Sequence, residues 1–200
     1  MKPFSIVVLA AGKSSRMGTP KQLLRIGKKT FIERVLENAK ELNSVDIICI
    51  LGANAQDIKP FIPNGVEVLY NENWTKGMGN SLAKGIGHLN DDPIESVMIL
   101  LADQPIIEVA DLKKMLEMGS KYPHEIIASD YHGSLGVPAI FPKKHFPDLT
   151  QLEGNKGAKE MLMKLENQVH KYEHSSPIVD IDTQEEYLRY LLRRKSNQNR

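Results

Sequence analysis

The chain has 200 residues, 41% hydrophobic and 26% charged, and a formal net charge of +1 at pH 7. This composition fits one globular domain with a substantial core, and the near-neutral charge gives no general attraction to nucleic acid. A lone cysteine, Cys49, lies in an apolar run and predicts a core thiol in a reducing compartment. Since no stretch has the length of a membrane span or signal peptide, we expect a cytoplasmic protein that contacts neither nucleic acid nor membrane.

The first apolar run, residues 6–9, predicts a buried strand and leads into a loop of small and basic residues. Gly12 allows close approach of a ligand to the backbone, whose N–H groups can converge on an anion. Lys13, Arg16 and Lys21 add positive charge, and no acidic residue occurs between positions 1 and 22. This combination predicts a polyphosphate-binding loop, the alternative being a solvated basic turn.

Several better-known motifs do not fit the spacing. A P-loop needs a glycine, four residues and then Gly-Lys-Ser/Thr, whereas Gly12 and Gly18 have the wrong separation and Gly18 is followed by Thr19 and Pro20. The dinucleotide motif G-x-G-x-x-G is absent. Ser81 lacks the second glycine of a nucleophile elbow, which argues against a serine hydrolase. The histidines lack the close spacing of zinc ligands, and we expect most of them at the surface.

The remaining segments alternate between strand and helix patterns. Thr30 and Glu33 form the sequence pattern of a capping box at the start of a helix that ends near residue 43. A polar, glycine-containing second loop covers residues 71–81, and Asn80 or Ser81 is the expected N-cap of the helix over residues 81–89 that follows it. Strands are predicted at 46–51, 66–70, 97–101 and 169–172, with a pair at 126–129 and 137–141, and further helices at 111–121, 156–165 and 184–194. The βα alternation of the first half implies a parallel sheet in one domain, residues 1–194, before a basic tail, 195–200, that we expect to be disordered.

Acidic residues at two places are candidate metal ligands. Asp103 follows the predicted strand 97–101, and one carboxylate can hold Mg²⁺ when a triphosphate supplies further oxygens. Asp180 and Asp182 alternate with apolar residues, so both carboxylates fall on one side of an extended segment. The alternatives are structural: Asp103 would cap a turn before Pro105, and Thr183 or Asp182 would be the N-cap of the last helix.

Four distinctive segments occupy residues 9–24, 74–82, 101–105 and 180–183. Together they resemble the nucleotidyltransferases related to molybdenum cofactor cytidylyltransferase. Residues 9–24, L-A-A-G-K-S-S-R-M-G-T-P-K-Q-L-L, are similar to that family's L-A-A-G-x-S-x-R-M-G-x-x-K-x-L-L signature. Residues 74–82 resemble its W-x-x-G-M-x-x-S-L segment, residues 101–105 its L-x-D-Q-P, and residues 180–183 its D-I-D-T. The resemblance implies a three-layer α/β/α fold with a mostly parallel central sheet, the Rossmann-like fold of nucleotide-diphospho-sugar transferases.

The resemblance also implies roles for particular residues. Arg16 and Lys21, with Gly12, would bind the triphosphate, and Asp103 would hold Mg²⁺ with Asp182, or Asp180 in reserve, as second ligand. The residues implied to lie against the nucleoside are Leu9, Ala10, Ala11, Gly77, Gly79 and Ser81. The implied reaction transfers CMP from CTP to the terminal phosphate of molybdopterin and releases pyrophosphate, and the implied protein partner is a molybdoenzyme or its insertion chaperone.

Two segments depart from the family pattern in the half expected to meet the acceptor. Gly136-Val137-Pro138 stands where the family usually has G-H-P, and Gly154-Asn155-Lys156-Gly157-Ala158 where it has G-D-x-G-A. The alternatives to cytidylyl transfer are therefore the same chemistry with GTP or another phosphorylated acceptor, and a carrier or maturation factor that binds the cofactor without catalysis. A P-loop-like hydrolase is disfavoured by the spacing.

Overall fold

The computed structural model describes residues 2–14, 17–89, 92–155, 157–175, 181 and 183–198, without the side chains of 195–198. The strands are β1 Phe4–Ala10, β2 Arg25–Ile26, β3 Lys29–Thr30, β4 Ile47–Leu51, β5 Glu67–Tyr70, β6 Ser96–Leu101, β7 Ile126–Asp130, β8 Leu135–Pro142 and β9 Val169–Tyr172. The helices are α1 Phe31–Lys40, α2 Ala55–Ile58, α3 Met78–His88, α4 Val109–Lys121, α5 Phe146–Leu149, α6 Ala158–Lys164 and α7 Gln184–Gln198.

A seven-stranded sheet in the order β5-β4-β1-β6-β8-β7-β9 forms the centre of the fold. β1 pairs in parallel with β4 on one side and β6 on the other, whereas β8 runs antiparallel to both β6 and β7. The chain moves outward from β1 to β4 and β5 and then returns to the other side of β1 at β6. β1 and β6 are parallel, so their carboxyl ends lie at the same edge of the sheet. The crevice just outside these two ends is the position where open α/β sheets bind ligands.

Helices cover both faces of this sheet. One core layer lies between the sheet and helices α1 and α4, and includes Ile32, Leu36 and Met115. The other layer lies under α3, α5 and α6, and includes Leu82, Phe146 and Leu162. β1 is buried along its whole length because its alternate side chains enter the two layers. The predicted three-layer, mostly parallel α/β fold is thereby confirmed.

Local signals in the sequence account for most element starts. The capping box is present: Glu33 N donates to Thr30 Oγ1 at 3.3 Å, and Thr30 N donates to Glu33 Oε2 at 2.7 Å. The expected start of α3 was wrong, since that helix begins at Met78 with Gly77 as its N-cap residue. Gly77 has φ of +107°, a conformation that favours glycine, so backbone freedom at the cap outweighs side-chain capping by Asn80 or Ser81.

Helix α7 closes the chain over a small third core of Ile26, Phe31 and Ile181. The Tyr187 hydroxyl donates to the Arg25 carbonyl at 2.7 Å, and its ring meets the edge of Phe31 with 6.0 Å between centroids. The helix continues to Gln198, into the segment predicted to be a disordered tail. Across the described ranges, no helix combines the length and apolar character needed to cross a membrane.

The single cysteine lies in the core, as predicted. Cys49 is fully buried in β4, and this burial raises the pKa of its thiol to about 12. A thiol with so high a pKa carries little thiolate at neutral pH, so Cys49 is a packing residue and not a nucleophile.

Candidate active site

A cleft of about 350 Å³ opens at the carboxyl ends of β1 and β6. Its walls come from the first loop, from the segment between β5 and α3, and from the end of β6. The lining includes Ala11, Gly12, Lys13, Lys21, Trp74, Gly77, Ser81 and Asp103. Three segments that the sequence singled out separately therefore meet in one place.

The first loop is held in shape by a buried glutamine. Gln22, only 5% exposed, donates from Nε2 to the carbonyls of Ala10 at 3.0 Å and Gly12 at 3.1 Å. The Ser14 hydroxyl donates to Gln22 Oε1 at 3.3 Å and accepts from Lys21 N at 3.0 Å. These bonds tie the two ends of the loop together, which fixes Lys21 relative to β1.

Lys21 and Asp103 form an ion pair across the cleft. Nζ of Lys21 lies 3.5 Å from Oδ2 of Asp103, with the lysine side chain 14% exposed and the aspartate side chain 33% exposed. The partial exposure of Asp103 leaves its carboxylate open to a ligand in the cleft. A cation and an anion are thus both presented at the edge of the sheet where ligands bind.

The second loop is built on tight backbone contacts. Two hydrogen bonds hold Asn71 in place. Its backbone N donates to the Leu51 carbonyl at 2.7 Å, and its side-chain Nδ2 donates to Ser81 Oγ at 2.9 Å. Gly79 N donates to the Gly154 carbonyl at 2.9 Å. A Cβ on Gly77 would overlap that same carbonyl, so only glycine lets the loop close on residues 154 and 155.

A second pocket of about 360 Å³ continues from the first. The two share Leu9, Met78, Leu101 and Asn155 as lining residues, so they form one groove. The second pocket lies over β6 and β8 and extends to the start of α6. It is lined mainly by apolar side chains, together with the polar groups of Gln104, Tyr131, Ser134, Asn155 and Lys159.

Behind the second pocket, three buried polar side chains form a chain of contacts. Ser129 Oγ donates to the Pro138 carbonyl at 2.7 Å and lies 2.8 Å from His174 Nε2. A serine hydroxyl can donate one hydrogen bond and take part in others, so Ser129 links the Pro138 carbonyl to the His174 ring. Nδ1 of His174 lies 3.7 Å from Asp111 Oδ2, with both side chains almost fully buried. Ser129 is directed at a backbone carbonyl in the core, which excludes a hydrolytic triad.

Asp111 makes the largest number of contacts in this buried polar group. Its Oδ1 accepts from the Tyr172 hydroxyl at 2.8 Å, and Ser175 Oγ donates to Oδ2 at 2.8 Å. Burial would raise the pKa of Asp111, but these hydrogen bonds outweigh it and hold the pKa below its ordinary value. Burial lowers the pKa of His174, against the opposing effect of the Asp111 carboxylate. His174 and the buried His145 are exceptions to the expectation of surface histidines.

The predicted site residues divide into those that line the cleft and those that do not. Leu9, Ala11, Gly12, Lys21, Gly77, Ser81 and Asp103 line it. Ala10 does not, because the alternation of β1 turns its side chain into the opposite core layer. Gly79 is buried in the first turn of α3, where it bonds to Gly154. Arg16, Asp180 and Asp182 lie outside the described residues, so their roles stay predictions.

Sequence reasoning missed several residues of the groove. Gln22 was covered by an unspecified position of the signature, and its side-chain bonds to the first loop depend on the folded chain. Met78 and Asn155 line both pockets, and although both lie in segments that the sequence singled out, neither was named as a site residue. Tyr131 lies in a turn segment, and its hydroxyl reaches the groove only through the pairing of β7 and β8.

One carboxylate in the cleft is suited to bind a divalent cation. Asp103 offers a carboxylate beside Lys21 and the first loop, and Mg²⁺ is commonly held by one or two carboxylates with substrate phosphates and water. Over the residues whose positions are described, no group of three or more histidine, cysteine or acidic side chains is arranged to hold a metal by itself. The donor set therefore suits a metal shared with a phosphate ligand.

Comparison with known proteins agrees with this geometry. A family model described as the MobA-like NTP transferase domain matches residues 6–169. The purine catabolism protein PucB of Bacillus subtilis is 28% identical over 192 residues, which is 90% of this chain and 92% of that protein. The bifunctional protein GlmU of Pseudoalteromonas atlantica is 30% identical over 117 residues, 58% of this chain. The aligned part of this chain spans only 25% of that GlmU's length.

Solved structures show the same fold over nearly the whole chain. Rv0371c of Mycobacterium tuberculosis matches with a TM-score of 0.85 and 28% identity, covering 96% of this chain and 98% of that one. A manganese complex of Rv0371c matches with a TM-score of 0.80 and 26% identity, covering 95% of this chain and 98% of that one. The resemblance read from the sequence is confirmed at this level: the chain carries a nucleotidyltransferase domain and belongs to the MobA-like NTP transferase family.

Proposed function

We propose that the protein transfers CMP from CTP to the terminal phosphate of molybdopterin in a reaction that needs Mg²⁺. An acceptor phosphate oxygen attacks the α-phosphorus, and the bond from that phosphorus to the oxygen bridging to the β-phosphate breaks. Pyrophosphate leaves with the electron pair, and the acceptor becomes a dinucleotide. The reaction needs no covalent intermediate with the protein, because in such displacements the protein mainly positions the reactants and stabilises charge.

The observation that carries this proposal is the meeting of Lys21 and Asp103 at the end of β1 and β6, 3.5 Å apart. Lys21, fixed by the Gln22 and Ser14 bonds, would bind triphosphate oxygens and stabilise the charge that grows on the leaving pyrophosphate. Lys13 at the rim of the cleft adds a second cation. Binding both substrates in one groove would bring the reacting phosphorus close to its acceptor.

Asp103 is the residue that would hold Mg²⁺, with Asp182, or Asp180 in reserve, as a proposed second ligand. A metal ion there would neutralise charge on the triphosphate. The manganese complex of Rv0371c supports a divalent cation in this type of fold. Asp103 would contribute its carboxylate to the metal, and its ion pair with Lys21 would keep that carboxylate near the phosphates.

The second pocket supports a two-substrate reaction, because the groove continues from the phosphate-binding loop across Leu101 and Met78. Its apolar lining suits a ring system and its polar groups suit the ring's edge. Gly77 and Ser81, with Leu9 and Ala11, would face the nucleoside in the first pocket. Delivery of the product to a molybdoenzyme or its insertion chaperone completes the proposed role.

The test is pyrophosphate release by the purified protein with Mg²⁺, molybdopterin and each of CTP, GTP, ATP and UTP in turn. We expect release with CTP. Pyrophosphate release with another nucleotide would support the same type of reaction but show that the protein prefers a different base. Cofactor binding without release with any nucleotide would favour a carrier, and release of inorganic phosphate in place of pyrophosphate would indicate a hydrolase.

A further inference from the structure

The pairing of β7 and β8 is interrupted beside the second pocket. Ala128 lies opposite Ala139, but the next residue, Ser129, lies opposite Gly136. β8 therefore has two extra residues at this point, Val137 and Pro138, that lie outside the regular ladder. Bulges of this kind redirect side chains and occur frequently next to functional sites.

Side chains take over the hydrogen bonds that the ladder does not supply. The Val137 carbonyl accepts from the Tyr131 hydroxyl, and the Pro138 carbonyl accepts from Ser129 Oγ at 2.7 Å. Buried backbone carbonyls are rarely left unpaired, so these two hydroxyls are what makes the bulge stable in its observed shape.

Tyr131 is itself held on two sides. Gln104 Nε2 donates to its hydroxyl at 2.8 Å, which links it to the residue that follows Asp103. Its ring packs on Gly136, where an added Cβ would lie 2.7 Å from Cε2 of the ring. Tyr131, Gln104, Gly136 and Val137 all line the second pocket, so the tyrosine connects the end of β6 to the opposite wall.

We infer that Tyr131 determines acceptor specificity, by holding the bulge so that Val137 and the tyrosine ring form one rigid wall of the second pocket. Where the family pattern has a histidine, this chain presents an apolar valine whose carbonyl is already bonded to Tyr131. The wall therefore favours an uncharged, flat ring of the acceptor and offers it no imidazole. This inference rests on the proposed function, because it assigns the second pocket to the acceptor.

The experiment compares Tyr131→Phe with the wild-type protein. The change keeps the ring and removes the hydroxyl, which leaves the Val137 carbonyl and the Gln104 amide without this partner. We expect the dissociation constant and KM for molybdopterin to rise about tenfold, the size of effect that one lost hydrogen bond of roughly 1.4 kcal/mol produces. The KM for CTP stays close to wild type, and the melting temperature falls by only a few degrees, because the lost hydrogen bonds are a small part of those that stabilise the domain.

Two further variants separate positioning from general damage. Ser129→Ala removes the other hydroxyl of the bulge without touching the groove, and we expect it to weaken molybdopterin binding in the same direction. Tyr70→Phe is the matched control, because Tyr70 lies in β5 at the far side of the sheet. It should leave both substrates unaffected.

The outcomes distinguish this inference from the proposed function. Unchanged molybdopterin binding in Tyr131→Phe, or an equal rise in KM for CTP and molybdopterin, overturns the role of Tyr131 even if the wild type releases pyrophosphate. Weaker molybdopterin binding in Tyr131→Phe supports that role even if the wild type releases no pyrophosphate. A wild-type protein that does not bind molybdopterin overturns both.

Discussion

Nζ of Lys21 lies 3.5 Å from Oδ2 of Asp103, although the two residues come from segments that are far apart in the chain. The pair is formed because β1 and β6 are parallel neighbours, with Leu9 opposite Leu101, so the residues that follow them reach the same edge. This pairing places the proposed phosphate-binding cation next to the proposed metal-binding carboxylate.

Replacing Lys21 by alanine should lower kcat about 10²- to 10³-fold, the range seen when one preorganised charge-stabilising donor is removed. The reason is the loss of positive charge at the departing pyrophosphate. Steady-state pyrophosphate release measures the effect. Lys84→Ala, on the exposed side of α3, is the control and should retain wild-type rates. Near-normal turnover in Lys21→Ala would remove Lys21 from the reaction.

Asp103→Asn should abolish the response of the rate to added Mg²⁺. The amide keeps the size of the side chain but lacks the negative charge that a divalent cation requires. A titration of activity with Mg²⁺ and Mn²⁺ in both proteins measures the response. Asp57→Asn, at an exposed position of α2, is the matched control. An unchanged metal dependence in Asp103→Asn would show that the metal is held elsewhere.

Two glycine substitutions in and beside α3 should have opposite effects. Gly77→Ala places a Cβ on the Gly154 carbonyl at a residue with φ of +107°, so we expect a loss of more than about 2 kcal/mol of unfolding free energy and of activity. Gly87 lies near the end of α3, and a Cβ added there would have no contacting atom within 4 Å. Gly87→Ala should be stabilising by about 0.5–1 kcal/mol, because alanine is the better helix former. Urea unfolding of both variants measures the difference, and equal stabilities would contradict the close approach at Gly77.

Stability should fall as the pH decreases from neutrality. The pKa of folded His174 is lowered below its ordinary value of 6.5, so the unfolded state binds more protons as the pH falls through 6.5 and toward the folded pKa. The lowered pKa of Asp111 adds a further loss below 3.8, since a carboxylate stabilised as an anion loses that contribution when protonated.

The test of this pH dependence is the unfolding free energy between pH 7 and 5. His174→Gln should have a smaller slope than wild type, where one histidine contributes at most about 1.4 kcal/mol per pH unit. His145, whose pKa burial also lowers, contributes part of the remaining slope. The exposed His124, changed to glutamine, is the control. An identical slope in His174→Gln and wild type would contradict the buried, neutral imidazole.

Much of the fold was predictable because its signals are local. Runs of apolar residues marked β1, β4 and β6, and the capping box marked the start of α1. The signature over residues 9–24 and the aspartate after β6 predicted the cleft, because parallel strands of an α/β sheet present their following loops at one edge. The apolar runs, the capping box and the loop signature each involve residues that are close together in the chain, so they can be recognised from the sequence.

The sequence by itself determined the order of the main strands and helices, the loop that we propose binds phosphate, and the position of Asp103 after β6. Tertiary structure alone decided which groups meet. Ser129 contacts His174 over 45 residues of sequence, and Asp111 binds Ser175 over 64. The bulge at Val137 likewise arises from the register of β7 against β8. Such contacts depend on the packing of distant segments, which no periodicity or short motif contains, and for that reason the second pocket and its tyrosine wall appear only in the folded chain.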